Sequence, residues 1–226
     1  VLAEPGVRQA DAIVILGDVA AGPLPVQVLD SLLALGDRAV WVRGNAEREI
    51  LDAARGADSP YPVSNWAAAQ LSPRHLDAPS DLPTTVRLSI TGLGEVLFCH
   101  ATPRDDTEIV LVNSSPRRWQ RALADVDHSI TTVVCGHTHM PFTRIVDGVM
   151  VVNPGSIGMP YGRPGAAWAL LGPGIALQHT AFDYDAACAR ITTESGYPDA
   201  AQWADEYVRA RNTDLDALTA FTPTED

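Results

Sequence analysis

Thr132-Val133-Val134-Cys135-Gly136-His137-Thr138-His139 is an apolar strand that ends in chemistry. Its β-branched run has the composition of a buried strand. Gly136 lets the backbone turn sharply where the run stops. The His-x-His that follows projects both imidazoles to one face if the strand period of two persists. Three other apolar runs end in the same way. Residues 12–16 lead into Gly17-Asp18, residues 38–43 into Gly44-Asn45, and residues 95–99 into His100. In open α/β sheets ligands bind at the carboxyl ends of the strands. Four strands in order would therefore bring Asp18, Asn45, His100, His137 and His139 to one edge. Taken singly, Asp18 reads as a turn residue, Asn45 as a helix cap and His100 as a hydrogen-bonded, half-buried histidine. Taken as an ordered set they read as a metal site.

Working outward, further strands are expected at residues 84–90, 142–146, 149–152, 166–171 and 175–180. Asp147-Gly148 supplies a hairpin signal and Gly172-Pro173-Gly174 a tight reversal. Helical patterns fall at residues 24–35, 45–55, 115–125, 183–191 and 199–211. The second of these carries Glu47 and Glu49 in its first turn, and the third opens on Ser-Pro. Strand and helix alternate in the first half, which predicts a parallel sheet with crossovers. From about residue 130 the pattern is strand–turn–strand, which predicts antiparallel pairing. The expectation is an α/β fold of two packed mixed sheets covered by helices, in one domain over residues 1–226. The polar tail, residues 212–226, is expected to fray.

Composition bounds the chemistry. The chain has 226 residues, 46% of them hydrophobic, and its 16 basic residues against 28 acidic ones give a net charge of −12. All the basic residues are Arg. The absence of Lys excludes a P-loop lysine, a Schiff-base lysine and a Ser–Lys dyad. The acidic balance argues against long polyanions and anionic membranes as partners, so nucleic acid is not expected. No uncharged run reaches the roughly 18–20 residues of a membrane span. Cys99, Cys135 and Cys188 are too few and scattered for a disulfide framework or a zinc knuckle. A reducing, cytoplasmic location is expected, with Cys99 and Cys135, each closing an apolar run, as small core hydrophobes.

Imidazole nitrogen with carboxylate and amide oxygen suits Mn, Fe, Zn or Ni better than Ca. Paired metal ions of this kind can hold a hydroxide and neutralise a phosphoryl group, which would replace the missing ammonium. Gly17-Asp18, Gly44-Asn45, His100 and Gly136-His137-Thr138-His139, with Asn153-Pro154-Gly155-Ser156 beyond, resemble the calcineurin-like metallophosphoesterase superfamily, and most nearly its compact phosphodiesterase-type members. The resemblance covers residues 1 to about 190. It implies a four-layer α/β/β/α sandwich and two divalent metal ions, manganese foremost, with iron, zinc or nickel as alternatives. It also implies that Asp18 bridges both ions, that Asn45, His100 and His137 complete one, and that His139 binds the other. The loop from Asn153 to Ser156 would support the site. The implied activity is hydrolysis of a phosphodiester or phosphomonoester, with a metal-bridging hydroxide attacking a small substrate. A catalytically inert binding or scaffold protein on the same fold is the alternative.

Two departures from the family pattern matter. Members open with a strand ending in Asp-x-His, whereas residues 1–5 here read as the end of the helix that follows it. With Val rather than Met at position 1, the expectation is that about 15–25 further residues lie upstream. Ala46 stands where many members have His, removing a proton donor of a kind typically worth ~10²–10⁴-fold. Arg104, in the loop leaving His100, would either clamp a phosphate oxygen as a catalytic residue or pair with Asp105 or Asp106. Glu47 would orient a ligand or simply favour the helix start. Tyr161 and Arg163 would line the mouth or lie on the surface. His75, His128 and His179 fall outside the strand-end pattern and read as structural or surface residues, and Trp66 and Trp119 as core.

Overall fold

The structure, a computed structural model, describes residues 1–222. Helix α1 (Pro5–Gln9) leads into β1 (Ile13–Ile15), which pairs in parallel with β2 (Ala39–Trp41) through the crossover helix α2 (Pro25–Leu33). Three helices follow: α3 (Asn45–Ala54), α4 (Pro62–Gln70) and α5 (Pro73–Ser80). A five-stranded mixed sheet comes next, made of β3 (Thr85–Ile90), β4 (Gly94–Cys99), β5 (Ile130–Val134), β6 (Phe142–Val146) and β7 (Val149–Asn153). Its spatial order is β3-β4-β5-β7-β6, with β4, β5 and β7 parallel and the outer strands antiparallel. Helix α6 (Pro116–Ala122) lies in the crossover between β4 and β5, capped by the Ser115 hydroxyl. The hairpin β8 (Ala166–Leu171) and β9 (Ile175–Thr180) forms a third, two-stranded sheet. Helices α7 (Tyr184–Glu194), α8 (Ala200–Trp203) and α9 (Asp214–Ala220) close the described chain.

Both faces of the five-stranded sheet are covered, so its central strands are apolar at nearly every position. The period of two then sorts each strand between two cores. Val96, Phe98, Val134 and Val152 face Val14 of β1, Leu16 and Val42 just past the ends of β1 and β2, and Leu171 and Ile175 of the hairpin. Leu97, Cys99, Val133 and Val151 face the other way, onto Trp119 of α6 and Phe142. A further cluster of Leu29, Ile50, Ala67 and Leu71 with Trp41 seats α2 to α5 on the small parallel sheet. Full burial of one such side chain stabilises by about 1.5–3 kcal/mol. The three cysteines are free, and burial pushes the Cys135 thiol up to about 12, as an inert core thiol requires. Among the described residues no helix is long and apolar enough to cross a membrane.

The structure differs from the sequence-based expectations in four places. The strands divide into three hydrogen-bonded sheets rather than two. The antiparallel half begins earlier and is interrupted, because β4 pairs in parallel with β5 and β7 inserts between β5 and β6. Helices α4 and α5 were not expected: α4 is rich in Ala with no strong amphipathic stripe, and α5 is short and carries a second Pro, Pro79, inside it, although each has Pro in its first turn. Residues 212–226 were expected to fray. Instead Thr213 and Asp216 form a capping box, and Ala217 of α9 is fully buried against Leu111 and Met140. Residues 223–226 of that tail lie outside the described residues.

The histidines outside the strand-end pattern are structural or exposed. His75 is buried at the third position of α5, where its ring meets Ser72 Oγ at 3.0 Å and Asp30 Oδ1 at 3.1 Å, tying α5 to α2. His179 meets the Pro164 carbonyl at 2.9 Å, and His128 is exposed. Trp66 is half-buried beside Tyr197, short of the core position expected for it. Trp119 is core: it is 1% exposed, meets the Phe142 ring edge-on, and donates from Nε1 to the Leu111 carbonyl at 3.0 Å. Trp119→Ala should therefore destabilise the protein by about 3–5 kcal/mol in urea denaturation. A loss below about 1 kcal/mol would show that α6 is not packed as described.

Candidate metal centre

The two parallel strands β1 and β2 end in loops that touch backbone to backbone. A Cβ on Gly17, which has φ +89°, would fall 2.4 Å from the Gly44 nitrogen, and one on Gly44 would fall 2.3 Å from Asp18 Oδ1. Only glycine permits this approach. The contact leaves three N–H groups pointing inward, and Glu47 takes all of them. Its carboxylate, 3% exposed, accepts from Asp18 N and Gly44 N at 2.8 Å and from Val19 N at 2.9 Å. Asp18 is clamped in turn, since its Oδ1 accepts from the Ala46 N–H at 2.8 Å. That leaves Asp18 Oδ2 facing the ends of the five-stranded sheet.

His100, at the end of β4, meets it there. Its Nδ1 lies 2.5 Å from the Leu16 carbonyl, which can only accept, so Nδ1 carries a proton. The other nitrogen, Nε2, lies 3.1 Å from Asp18 Oδ2, 3.1 Å from Asn45 Oδ1 and 3.2 Å from His137 Nδ1. One ring nitrogen cannot satisfy three such partners by hydrogen bonding. Donor atoms held at ~2.1 Å from one cation sit about 3.0 Å apart in octahedral geometry and about 3.4 Å in tetrahedral geometry. The observed spacings fit that range, and Asp18, His100 and His137 each offer a ligand atom within 4.8 Å of the others. A carbonyl-fixed imidazole tautomer is the usual support of a metal-binding histidine.

His137 and His139 follow β5. Both have left-handed backbone, at φ 62° and 60°, as does Asp18 at 57°. Non-glycine residues pay for this conformation, and Asp and His are among those that tolerate it best. Asn153 at the end of β7 holds the loop: its Nδ2 donates to the Gly136 carbonyl at 2.7 Å and to Thr138 Oγ1 at 3.2 Å. Its Oδ1 accepts from Gly155 N at 2.9 Å, as expected of a supporting loop. His139 stands apart from the three-residue cluster. Its Nδ1 is buried with no hydrogen-bond partner among the described residues, and its ring stacks at 6.1 Å on Tyr161. An orphaned imidazole nitrogen of this kind fits a second cation.

Arg104 is paired otherwise than expected: of its two readings, a phosphate clamp or a pair with Asp105 or Asp106, the structure replaces the second. Its guanidinium pairs with Glu108, four residues on, and Glu108 is held in place by Thr102 Oγ1 at 2.8 Å. Arg104 lines a groove of about 250 Å³ with Arg87, Leu97, Asp125 and Asp127, to which no histidine contributes. Asp106 is paired instead with Arg48. Tyr161 reaches the site through His139, whereas Arg163 is exposed. Glu47 favours the helix start, as one of its two readings had it, by capping Gly44 N, and it also takes the Asp18 and Val19 N–H groups rather than a ligand histidine. Glu49 gains a role not read from the sequence: it accepts from Asn45 Nδ2 at 3.0 Å.

Burial alone would raise the Asp18 carboxyl, but the charge and hydrogen bond of His100 outweigh it and hold it low. Burial would lower His100, but Asp18 raises it. Burial and the neighbouring His100 push His137 down to about 4, and burial lowers His139 as well. A histidine depressed in the folded state opposes folding only when the unfolded chain can take up the proton, that is, as pH falls from about 6.5 toward 4. In chelator, the native protein should therefore lose stability relative to His137→Asn between pH 7 and pH 5, measured by urea denaturation. Parallel pH curves would refute the depressed value. Glu47→Ala should cost about 2–3 kcal/mol, since one buried and two part-buried N–H groups lose their acceptor, at ~1–3 kcal/mol for a fully buried one. A cost below about 1 kcal/mol would mean that the loops hold without it.

Comparisons with known proteins give the family and the fold. The Calcineurin-like phosphoesterase superfamily domain matches residues 3–172. No curated protein matches the chain. Among solved structures, the hypothetical protein PH1004 of Pyrococcus horikoshii OT3 superposes with TM-score 0.74 at 17% identity, covering 91% of this chain and 87% of that one. A metallophosphoesterase from Sphaerobacter thermophilus superposes with TM-score 0.68 at 22% identity, covering 89% of this chain and 90% of that one. Those identities speak for the fold alone. The family match spans most of the sequence and contains every donor described above, so the chain belongs to the calcineurin-like phosphoesterase superfamily.

Proposed function

We propose that this protein hydrolyses small phosphoesters, diesters or monoesters, with a pair of divalent cations of which manganese is the foremost choice. The observation that carries the proposal is the convergence of Asp18 Oδ2, Asn45 Oδ1 and His137 Nδ1 on His100 Nε2 at 3.1–3.2 Å. Asp18, Asn45, His100 and His137 would hold one ion. Asp18 and His139 would contribute to the other. When bound, such ions supply positive charge to phosphoryl oxygens and acidify a coordinated water.

The chain's own residues set the rest. Leu16 keeps His100 in the tautomer whose Nε2 lone pair is free to bind. Glu47 and Ala46 N–H hold Asp18 rigid, so that little reorganisation is needed when substrate enters. Ala46 offers no proton donor beside Asn45, which favours esters whose leaving group departs without protonation. The net charge of −12 disfavours long polyanions and so favours small substrates. The three unpaired thiols, two of them buried, favour a cytoplasmic location.

The test is hydrolysis of bis(4-nitrophenyl) phosphate and 4-nitrophenyl phosphate by the native full-length protein, with and without Mn²⁺. Metal-stimulated turnover is expected. Asp18→Asn and His137→Ala should each lower kcat/KM by about 10²-fold or more with unchanged circular dichroism. No turnover with Mn²⁺, Zn²⁺, Fe²⁺ or Ni²⁺ would favour the binding or scaffold reading instead.

A further inference from the structure

The side-chain amide of Asn45 has two ends of nearly equal shape and opposite chemistry. Its oxygen can coordinate a cation; its NH2 cannot. Which end faces His100 is set by what grips the other. Asn45 opens α3, and Glu49 lies four residues on, on the same helix face. Asn45 Nδ2 donates to Glu49 Oε1 at 3.0 Å, while Oδ1 lies 3.1 Å from His100 Nε2. The second carboxylate oxygen is also engaged: Ser64 of α4, 1% exposed, donates from Oγ to Glu49 Oε2 at 3.3 Å. A carboxylate only accepts, so Glu49 can hold the NH2 end and no other.

We propose that Glu49, braced by Ser64, is a positioning residue that turns the carboxamide oxygen of Asn45 toward the Asp18, His100 and His137 donors and thereby sets metal affinity. This rests on the reading of Asn45 as a metal ligand. A plain helix-start acid would leave its carboxylate in solvent, whereas both oxygens of Glu49 are spent on inward donors. Glu47 cannot take over the task, because its own oxygens are occupied by three backbone N–H groups.

The test is a double-mutant cycle on the native full-length protein, read as the Mn²⁺ dissociation constant by titration calorimetry, with circular dichroism as the check on folding. E49A should weaken Mn²⁺ binding about 10–100-fold, the usual cost of removing a group that orients a ligand. N45A should weaken it comparably, and the double variant should be no weaker than N45A alone. E49Q should stay within about threefold of wild type, since its carbonyl can accept from Asn45 while its NH2 donates to Ser64 Oγ. S64A, which removes one hydroxyl, gives a smaller loss of the same sign and serves if E49A does not fold. Unchanged affinity in E49A, or losses that multiply in the double variant, would overturn the proposal. Wild-type protein that binds no Mn²⁺ would instead remove the metal reading itself, so the two failures are told apart.

Discussion

One buried carboxylate makes the arrangement possible. Glu47 collects the N–H groups of Asp18, Val19 and Gly44, and so welds the ends of two parallel strands to the start of α3. Without an acceptor there, loops pressed together at Gly17 and Gly44 would bury unpaired donors. The weld also fixes the distance between Asp18 and Asn45, which come from different strand ends. The five-stranded sheet then fastens onto the same loop from the other side, through His100 Nδ1 and the Leu16 carbonyl. His100 hands the constraint onward, since its carbonyl accepts from Gly136 N at 2.6 Å just before His137. A continuous run of hydrogen bonds therefore crosses from α3 to β5, and the donor cluster lies along it.

This packing has an electrostatic cost. Asp18 and Glu47 sit in contact inside the protein, and the charge of Asp18 raises the Glu47 carboxyl beyond what burial alone does. Backbone N–H groups and the His100 ring offset part of this, and a divalent cation would offset more. The absence of Lys takes on a different meaning in that light. A protein whose fixed cations are all guanidinium groups, half of them paired with carboxylates, has little mobile positive charge to bring to a phosphate.

Much of this was legible in the sequence because strand ends are local. A β-branched run followed by Gly and a metal-capable residue needs no long-range information, and Asp18, His100 and His137 do converge. Sheet division was not legible, since the pairing of β4 with β5 and the insertion of β7 depend on contacts far apart in the chain. The partner of Arg104 was misread: Glu108, four residues on, takes its guanidinium in place of Asp105 or Asp106. Glu47 and Glu49 were both visible as acids in a first helical turn. Their opposite duties depend on where each side chain points, and on Ser64 from a helix with no clear amphipathic stripe.

The left-handed backbone at Asp18, His137 and His139 has a consequence for how such a site can change. Each position must accept a positive φ and also present an oxygen or nitrogen lone pair. Asp, Asn and His meet both conditions; Val, Ile and Thr fail the first and Gly fails the second. The three positions therefore draw on an alphabet of very few letters, and single exchanges within it alter charge while leaving the turn intact. Loss of metal binding by drift would then come before any loss of shape, leaving a well-folded protein with a silent centre.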